Sequence, residues 1–212
     1  MLKLIYGVAV NDLPDHRTQI VEYIVNENGK KKRKVVWQCP FYTKWFNMLT
    51  RCYNEVELKR HPTYEKNFVC RDWLLFSSFK SWMETQDWEE KQLDKDILSA
   101  GSLEYSPETC VFVSQEVNKF LLEKTAIRDL PIGVSYHKVK KKFIASISCG
   151  ENGKIKQVGA FNCPEQAHLA WATEKLEMSK QIAQKQSDER IANALILRYT
   201  KIFEIAKLNA EG

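Results

Sequence analysis

Three adjacent charged residues and one distant amide are the side chains in this sequence best suited to chemistry. Asp94, Lys95 and Asp96 stand at the end of a predicted strand, and Asn118 lies 24 residues after Asp94 on a predicted helix. An oxygen ligand on a strand and another on a helix can hold a divalent cation beside a scissile phosphate. Such a cation would stabilise the charge that develops on the phosphate. A solvated turn is the alternative interpretation of the Asp-Lys-Asp run.

Basic residues are concentrated in two segments. The net charge is only +5, but residues 30–34 alone carry five positive charges, and residues 133–162 carry six lysines against one acid, Glu151. The rest of the chain is therefore acidic overall. Because each lysine near a phosphate releases condensed counterions, this pattern indicates contact with a phosphate backbone. Two solvated hairpins are the alternative.

The composition is that of a folded protein. Hydrophobic residues make up 44% and charged residues 28% of 212 residues, which excludes a disordered or collagen-like chain. Six cysteines occur without a CxxC spacing, so we expect buried free thiols and no structural zinc. The chain lacks a signal-peptide core and a run of about 18 apolar residues. These features predict a soluble protein of a reducing compartment, not a membrane protein.

Hydrophobic spacing predicts the elements of the N-terminal part. Asn28-Gly29 between two apolar runs predicts a β-hairpin, because type I′ turns need positive φ at both central residues. Apolar residues then recur at intervals of three and four over 40–53 and again from about Asp72, which predicts two amphipathic helices. We expect Trp45, Trp73 and Trp82 to lie in the core.

The C-terminal part combines a further helix start with a run of strands. Ser106-Pro107-Glu108 has the composition of a helix N-terminus, predicting a helix to about Leu122. Alternation predicts strands at 133–136, 142–148 and 154–161, with Phe143 and its alternate neighbours packed on a helix at 164–184. A last helix follows residues 187–189, and we expect it to pack back on the N-terminal body.

Several of these segments together resemble a known family. The runs that carry the resemblance are Tyr42-x-x-Trp45-x-x-Met48-Leu49-x-Arg51-Cys52-Tyr53, Pro62-Thr63-Tyr64, Val69-Cys70-x-x-Trp73, Leu93-Asp94-Lys95-Asp96-Ile97-Leu98 and Tyr105-Ser106-Pro107-Glu108-Thr109-Cys110-x-Phe112-Val113-x-x-x-x-Asn118. Over most of residues 1–122 the chain resembles bacteriophage HNH-type homing endonucleases. The resemblance implies a ββα-metal fold in which Asp94 and Asn118 hold Mg²⁺ or Mn²⁺, and it implies Asp94, Lys95 and Asp96 as catalytic residues.

Lys95 departs from the family, because it stands where the general-base histidine belongs. A free lysine has a pKa near 10.4 and is mostly protonated at pH 7. A lowered pKa would let Lys95 act as a base; otherwise it could hold the attacking water or stabilise the phosphate as a cation. A third possibility is an inactive site in a protein that only binds DNA. His61, outside residues 94–118, is a weaker candidate for the base.

The second basic segment resembles another family. Gly133-Val134-Ser135-Tyr136, Gly159-x-Phe161 and Glu165-x-Ala167-x-x-Ala170-Trp171 look like the DNA-binding domain of the APETALA-two/ethylene-response-factor (ERF) class. The resemblance implies a three-stranded sheet laid into the major groove and backed by one helix. Lysines there should mainly contact phosphates, and polar side chains should meet base edges. The candidate DNA contacts are Lys31, Lys32, Arg33, Tyr136, His137, Lys138, Lys140, Lys141, Lys142, Ser146, Lys154, Lys156 and Gln157.

Together these observations predict an α+β protein with an HNH-like nuclease domain at 1–125, an ERF-like DNA-binding domain at 132–184 and a C-terminal helix at 187–209. The expected function is metal-dependent hydrolysis of double-stranded DNA, by a monomer in the cytoplasm of a phage-infected bacterium. The alternative is a catalytically inactive, sequence-specific DNA-binding protein that acts as a repressor or architectural factor. A protein-interaction module is a third interpretation.

Overall fold

A computed structural model describes residues 3–25, 27–121, 129–149 and 154–212. The protein is mixed, 43% helical and 24% strand, with several small sheets, which confirms the α+β class. Two compact units divide the chain, Met1–Phe112 and Val113–Gly212. The predicted end of the nuclease domain at 125 lies outside the described residues. In the described part of the chain, no helix has the length and apolar character needed to cross a membrane.

The first unit begins with two pairs of antiparallel strands. β1 (Leu4–Ile5) pairs with β2 (Ala9–Val10), and β3 (Gln19–Val25) pairs with β4 (Lys31–Gln38). Gly29 adopts φ +73° in the turn between β3 and β4, a conformation that glycine takes without strain. The predicted hairpin is therefore confirmed by the pairing of β3 with β4, but Asn28 does not share the positive φ of Gly29, so the predicted type I′ turn is wrong.

Two of three helices supply much of the core of this unit, whereas the short helix between them has no buried side chain. α1 (Pro40–Tyr53) has the predicted bounds and is followed by α2 (Glu55–Arg60). The second predicted helix is a 3₁₀ turn, Asp72–Leu74, and then α3 (Phe76–Glu84), so the α-helix begins four residues later than predicted. α3 starts there because a distant carboxylate caps it: Asp12 Oδ1 accepts the backbone N–H of Ser77 at 2.9 Å.

Aromatic side chains fill the space between these helices. Trp45 and Trp73 are buried, as predicted, and the Trp45 indole N–H donates to the Trp73 carbonyl at 2.6 Å. Trp82 is half-buried against Trp73, with ring centroids 4.4 Å apart. The indole hydrogen bond satisfies a polar group that would otherwise be costly to bury.

Short strands surround the candidate site. β5 (Phe68–Val69) runs parallel to β7 (Glu104–Tyr105), and β6 (Gln92–Asp94) pairs with β8 (Val111–Val113). α4 (Gln115–Leu121) follows in the second unit. The prediction of a helix that starts at Ser106 is therefore wrong for residues 106–114, because the helix begins only at Gln115. The predicted end at Leu122 lies outside the described residues.

The reason for this error is a compact turn before β8. Thr109 Oγ1 accepts the N–H of Ser106 at 3.1 Å and donates to the carbonyl of Glu104 at 2.7 Å. This hydroxyl therefore closes a turn at the residues whose composition is typical of a helix start. The β-branched Val111 and Val113 then favour a strand that pairs with β6.

The second unit contains a three-stranded antiparallel sheet backed by helices. β10 (Lys142–Cys149) lies between β9 (Val134–His137) and β11 (Lys154–Phe161). α5 (Pro164–Ala183) packs on one face, where Ala145, Ile147 and Trp171 are buried, as predicted. α6 (Glu189–Glu211) packs along α5 and contributes Ala206 to this core, so the last helix belongs to this unit.

Candidate functional site

Asp94 is the last residue of β6, and backbone groups orient its carboxylate. Oδ1 accepts the N–H of Asp96 at 2.9 Å and the N–H of Ile97 at 2.8 Å, which forms an Asx turn directly after the strand. Burial raises the pKa of Asp94 above its usual value, and these two backbone hydrogen bonds work in the opposite direction. The result is a half-buried carboxylate held in one orientation.

Lys95 is buried, with 6% of its surface exposed, and its side chain acts as a hydrogen-bond donor. Its Nζ donates to Asp96 Oδ1 at 2.6 Å and to the carbonyl of Ser102 at 2.7 Å. The same nitrogen lies 5.8 Å from the centre of the Tyr105 ring. A general base must accept a proton, whereas these contacts suit a protonated ammonium. Lys95 therefore has the surroundings of a fixed cation.

Neighbouring groups do not offer a better base or nucleophile. His61 ends α2 on the surface and lies 4.0 Å from Glu57 Oε2, a contact within its own turn. Burial raises the pKa of the Cys52 and Cys110 thiols to about 12, so both stay protonated near neutral pH. These cysteines are structural, as expected from the sequence.

Asn118 lies in the first turn of α4, where its N–H donates to the carbonyl of Ser114 at 3.0 Å. It belongs to the second unit, whereas Asp94 belongs to the first. Its place in the first turn differs from the expected position some three helical turns into a longer helix. Within residues 3–25, 27–121, 129–149 and 154–212, no group of three or more His, Cys, Asp or Glu side chains could hold a metal ion.

The second unit presents a sheet face opposite α5, here called the open face. Because residues directly opposite each other on antiparallel strands share a face, the register defines its members. Ser135 lies opposite Ile144, His137 opposite Lys142, and Gln157 opposite Ser146. The open face comprises Ser135, His137, Lys142, Ile144, Ser146, Ser148, Ile155, Gln157 and Ala160.

This register divides the predicted DNA contacts between two faces. His137, Lys142, Ser146 and Gln157 lie on the open face. Lys156 lies opposite the buried Ile147 instead, and its Nζ is 2.6 Å from Glu174 Oε1 on α5.

Tyr136 also lies on the α5 side, with its ring centroid 5.1 Å from that of Phe143. On the open face, Ile144 at the centre is buried and Lys142 hydrogen-bonds Asn162 Oδ1. The Lys154 side chain lies outside the described residues. The sequence reasoning missed Ser135, although the period of two and the pairing with β10 would have found it.

A lysine-rich turn adjoins one end of the open face. Lys138, Lys140 and Lys141 connect β9 to β10, and all three are exposed. His137 Nδ1 accepts the N–H of Lys140 at 3.3 Å, and Lys141 has φ +46°, so the turn is held in a defined shape. The positive charge is thus at the end of the face, while Ile144, Ser146 and Gln157 in its middle are uncharged.

Lys31, Lys32 and Arg33 lie on β4 of the first unit, and all are exposed. Arg33 is directly opposite Tyr23 on β3.

Comparisons with protein-family models, with curated proteins and with solved structures found no match to this chain.

Proposed function

We propose that this chain is a double-stranded DNA endonuclease of the phage homing type. The chain order of β6, β8 and α4 carries the proposal, because it is the strand-strand-helix order that the HNH resemblance implies. Asp94 ends the first of these strands and Asn118 lies on the helix. The half-buried, backbone-oriented Asp94 supports it further, since carboxylates with raised pKa values are concentrated at functional sites.

The resemblance implies Asp94 and Asn118 as the ligands of a divalent cation. A carboxylate from Asp94 and a side-chain amide oxygen from Asn118 are hard oxygen ligands of the kind that Mg²⁺ and Mn²⁺ take. When bound, the cation would stabilise negative charge on the phosphate and on the leaving oxygen. The N–H groups of Asp96 and Ile97 hold the Asp94 carboxylate in one orientation. Lys95 adds a fixed positive charge next to it.

DNA binding is assigned to the open face and its lysine turn. Small and uncharged side chains in the middle of the face, such as Ser146 and Gln157, allow close approach to base edges. Lys138, Lys140 and Lys141 at its end suit phosphate contacts, which set affinity and position rather than sequence preference. The exposed sheet therefore supports binding in the major groove, as the ERF resemblance implies.

One observation favours the alternative of a catalytically inactive, sequence-specific DNA-binding protein. Lys95 replaces the expected histidine and is buried with its ammonium bound to Asp96 and Ser102. In this alternative the cluster around Asp94 only stabilises the fold, and the protein acts as a repressor or architectural factor.

The two functions can be separated by selecting the bound DNA first. Duplexes with a randomised central region are incubated with the full chain, and the enriched sequence is then tested for cleavage in Mg²⁺ or Mn²⁺. Cleavage that Asp94→Asn abolishes while binding persists supports the nuclease. Binding without cleavage in either metal across pH 6–9 supports the inactive binder and refutes the nuclease.

Charge-reversal variants test the binding surface. Lys140→Glu with Lys141→Glu should weaken binding of the selected duplex and lower the slope of log K against log salt by about one unit per lost phosphate contact. Lys201→Glu with Lys207→Glu makes the same charge change on exposed positions of α6 and serves as the control. If both pairs weaken binding equally, the lysine turn is not the binding surface.

A further inference from the structure

The β3–β4 hairpin exposes large apolar side chains that the proposed function does not use. It forms a two-stranded sheet of its own, and Tyr23 is 68% exposed. Val25 and Val35 are exposed on the same side as Tyr23, and Ile20, Ile24 and Trp37 are exposed on the opposite side. An isolated two-stranded hairpin is only marginally stable in water, and contiguous exposed apolar surface marks interaction sites. A binding partner would therefore stabilise this hairpin.

The register places aromatic and basic side chains together on one side. Tyr23 lies opposite Arg33, and Val25 lies opposite Lys31. Toward the base of the hairpin, Gln19 lies opposite Gln38 on the same side, because alternate residues of a strand share a face. This side is called the ribbon face, and its members are Gln19, Val21, Tyr23, Val25, Lys31, Arg33, Val35 and Gln38.

The ribbon face leads into a cavity at its base. Gln19 and Gln38 line a cavity of about 430 Å³ together with Tyr42 and Phe46 of α1. A second cavity of about 510 Å³, lined by Asn11, shares the same two aromatic residues. Tyr42 and Phe46 therefore line both cavities, whose sizes fall within the range of small-molecule sites, roughly 300–1,000 Å³.

The lining of these cavities has the chemistry that recognises an unpaired nucleobase. The Tyr42 and Phe46 rings are 6.0 Å apart and nearly parallel, and Phe46 is exposed enough for a base to stack on it. Carboxamides at the rim, from Gln19, Gln38 and Asn47, can both donate and accept hydrogen bonds. Base edges offer donors and acceptors in the same way.

The charge of the hairpin identifies the kind of partner. Residues 19–38 carry five basic and two acidic side chains, a net charge of +3. Pairing of β4 with a second copy of β4 would bring two Lys-Lys-Arg-Lys runs together, which like-charge repulsion opposes. A polyanion with exposed aromatic bases matches both the charge and the aromatic surface.

We propose that the ribbon face and the cavities at its base bind a single-stranded or locally unpaired segment of DNA. Bases stack on Tyr23 and on the Tyr42–Phe46 pair, and phosphates contact Arg33 and Lys31. The proposal rests on the proposed function only in taking DNA as the polymer. It adds a second DNA-binding surface, specific for unpaired bases, to the duplex-binding open face.

Stacking on Tyr23 provides the test. Binding of a fluorescein-labelled 20-nucleotide single strand of mixed sequence is measured by anisotropy with the full chain. Tyr23→Ala should weaken binding roughly tenfold, the range expected for loss of one stacking ring, while Tyr23→Phe keeps the ring and should bind as the wild type does. Ile24→Ala, on the opposite side of the same strand, is the matched control and should have no effect.

Three further readouts complete the experiment. Asn47→Ala, at the exposed rim of the cavity, should also weaken binding of the single strand, and Arg33→Ala should lower its salt dependence. The proposal is overturned if Tyr23→Ala and Ile24→Ala have equal effects, or if neither Tyr23→Ala nor Asn47→Ala weakens binding. It is also overturned if light scattering shows a dimer that Tyr23→Ala dissociates.

Failure of the ribbon face as a single-strand site can be distinguished from failure of the proposed endonuclease function. Lys140→Glu with Lys141→Glu should reduce binding of duplex DNA and leave single-strand binding intact. If the wild-type chain neither binds nor cleaves duplex DNA but binds the single strand through Tyr23, only the endonuclease proposal is refuted. Duplex cleavage without any Tyr23-dependent single-strand binding would refute only the ribbon face.

Discussion

Gly133→Ala is expected to destabilise the second unit severely, because Gly133 combines a left-handed backbone with contact against an aromatic ring. Its φ is +80°, and a Cβ at this position would lie 2.1 Å from Cδ1 of Trp171. The ring has little freedom to move away: Trp171 is 3% exposed and stacks on His168 with centroids 5.3 Å apart. His168 is itself held by a hydrogen bond to the Ile132 carbonyl at 2.9 Å.

Two separate costs add up at Gly133. A left-handed conformation costs an alanine about 1–2 kcal/mol. Overpacking a filled site costs typically about 1–3 kcal/mol more, through shifts of side chain and backbone. The free energy of unfolding of the second unit should therefore fall by roughly 2–5 kcal/mol, which is a large part of the stability of a small domain.

Gly101→Ala separates the two costs. Gly101 has φ +84°, but no atom lies within 4 Å of the position of its Cβ, so only the conformational cost of about 1–2 kcal/mol applies. Hydrogen exchange of the most protected amides, read separately for 1–112 and 113–212, measures each variant in its own unit. If Gly133→Ala costs no more than Gly101→Ala, the packing of Gly133 on Trp171 does not restrict this position.

Three further predictions concern single hydrogen-bonded side chains. Burial holds the pKa of Asp94 above its usual value, so stability is lost as pH rises through that pKa; Asp94→Asn keeps the acceptor, removes the charge and should raise the denaturant midpoint at pH 7. Burial acts to raise the pKa of Asp12, but hydrogen bonds from Ser77 outweigh burial, so the pKa in the folded protein is lowered. The stability that Asp12 contributes is therefore present above its unfolded-state pKa near 3.9 and is lost as pH falls through its folded-state pKa. Asp12→Ala should thus cost about 0.5–2 kcal/mol at pH 7, and this difference should shrink in denaturation at pH 3. Tyr199→Phe removes a donor to the Phe120 carbonyl and should cost the second unit about 0.5–1.5 kcal/mol, measured by hydrogen exchange of its most protected amides.

Specific results would contradict each of these. A lower midpoint for Asp94→Asn at pH 7 would mean that the ionised carboxylate stabilises the fold. A difference for Asp12→Ala that is the same at pH 7 and pH 3 would exclude the carboxylate cap of α3. Unchanged exchange rates for Tyr199→Phe would show that its hydroxyl contributes nothing to the second unit.

Local sequence signals predicted the elements whose determinants lie within a few residues. Asn28-Gly29 predicted the β3–β4 turn because Gly29 takes the positive φ that the turn requires. The spacing of Trp45, Met48 and Leu49 predicted the buried face of α1 because a helix repeats every 3.6 residues. The same kind of signal at Ser106 was misleading, because a contact with Glu104 and pairing with β6 outweighed it.

The sequence alone determined the kinds of side chain available for a site: the Asp94 to Asp96 run, Asn118 and two concentrated basic segments. Only the tertiary structure decided where they point. The pairing of Lys156 with Ile147 puts that lysine on the α5 side, and the hydrogen bonds of Lys95 Nζ to Asp96 and to the Ser102 carbonyl are those of a bound cation. Strand register and burial depend on partners far away in the chain, whereas the sequence signals used for prediction extend over only a few residues.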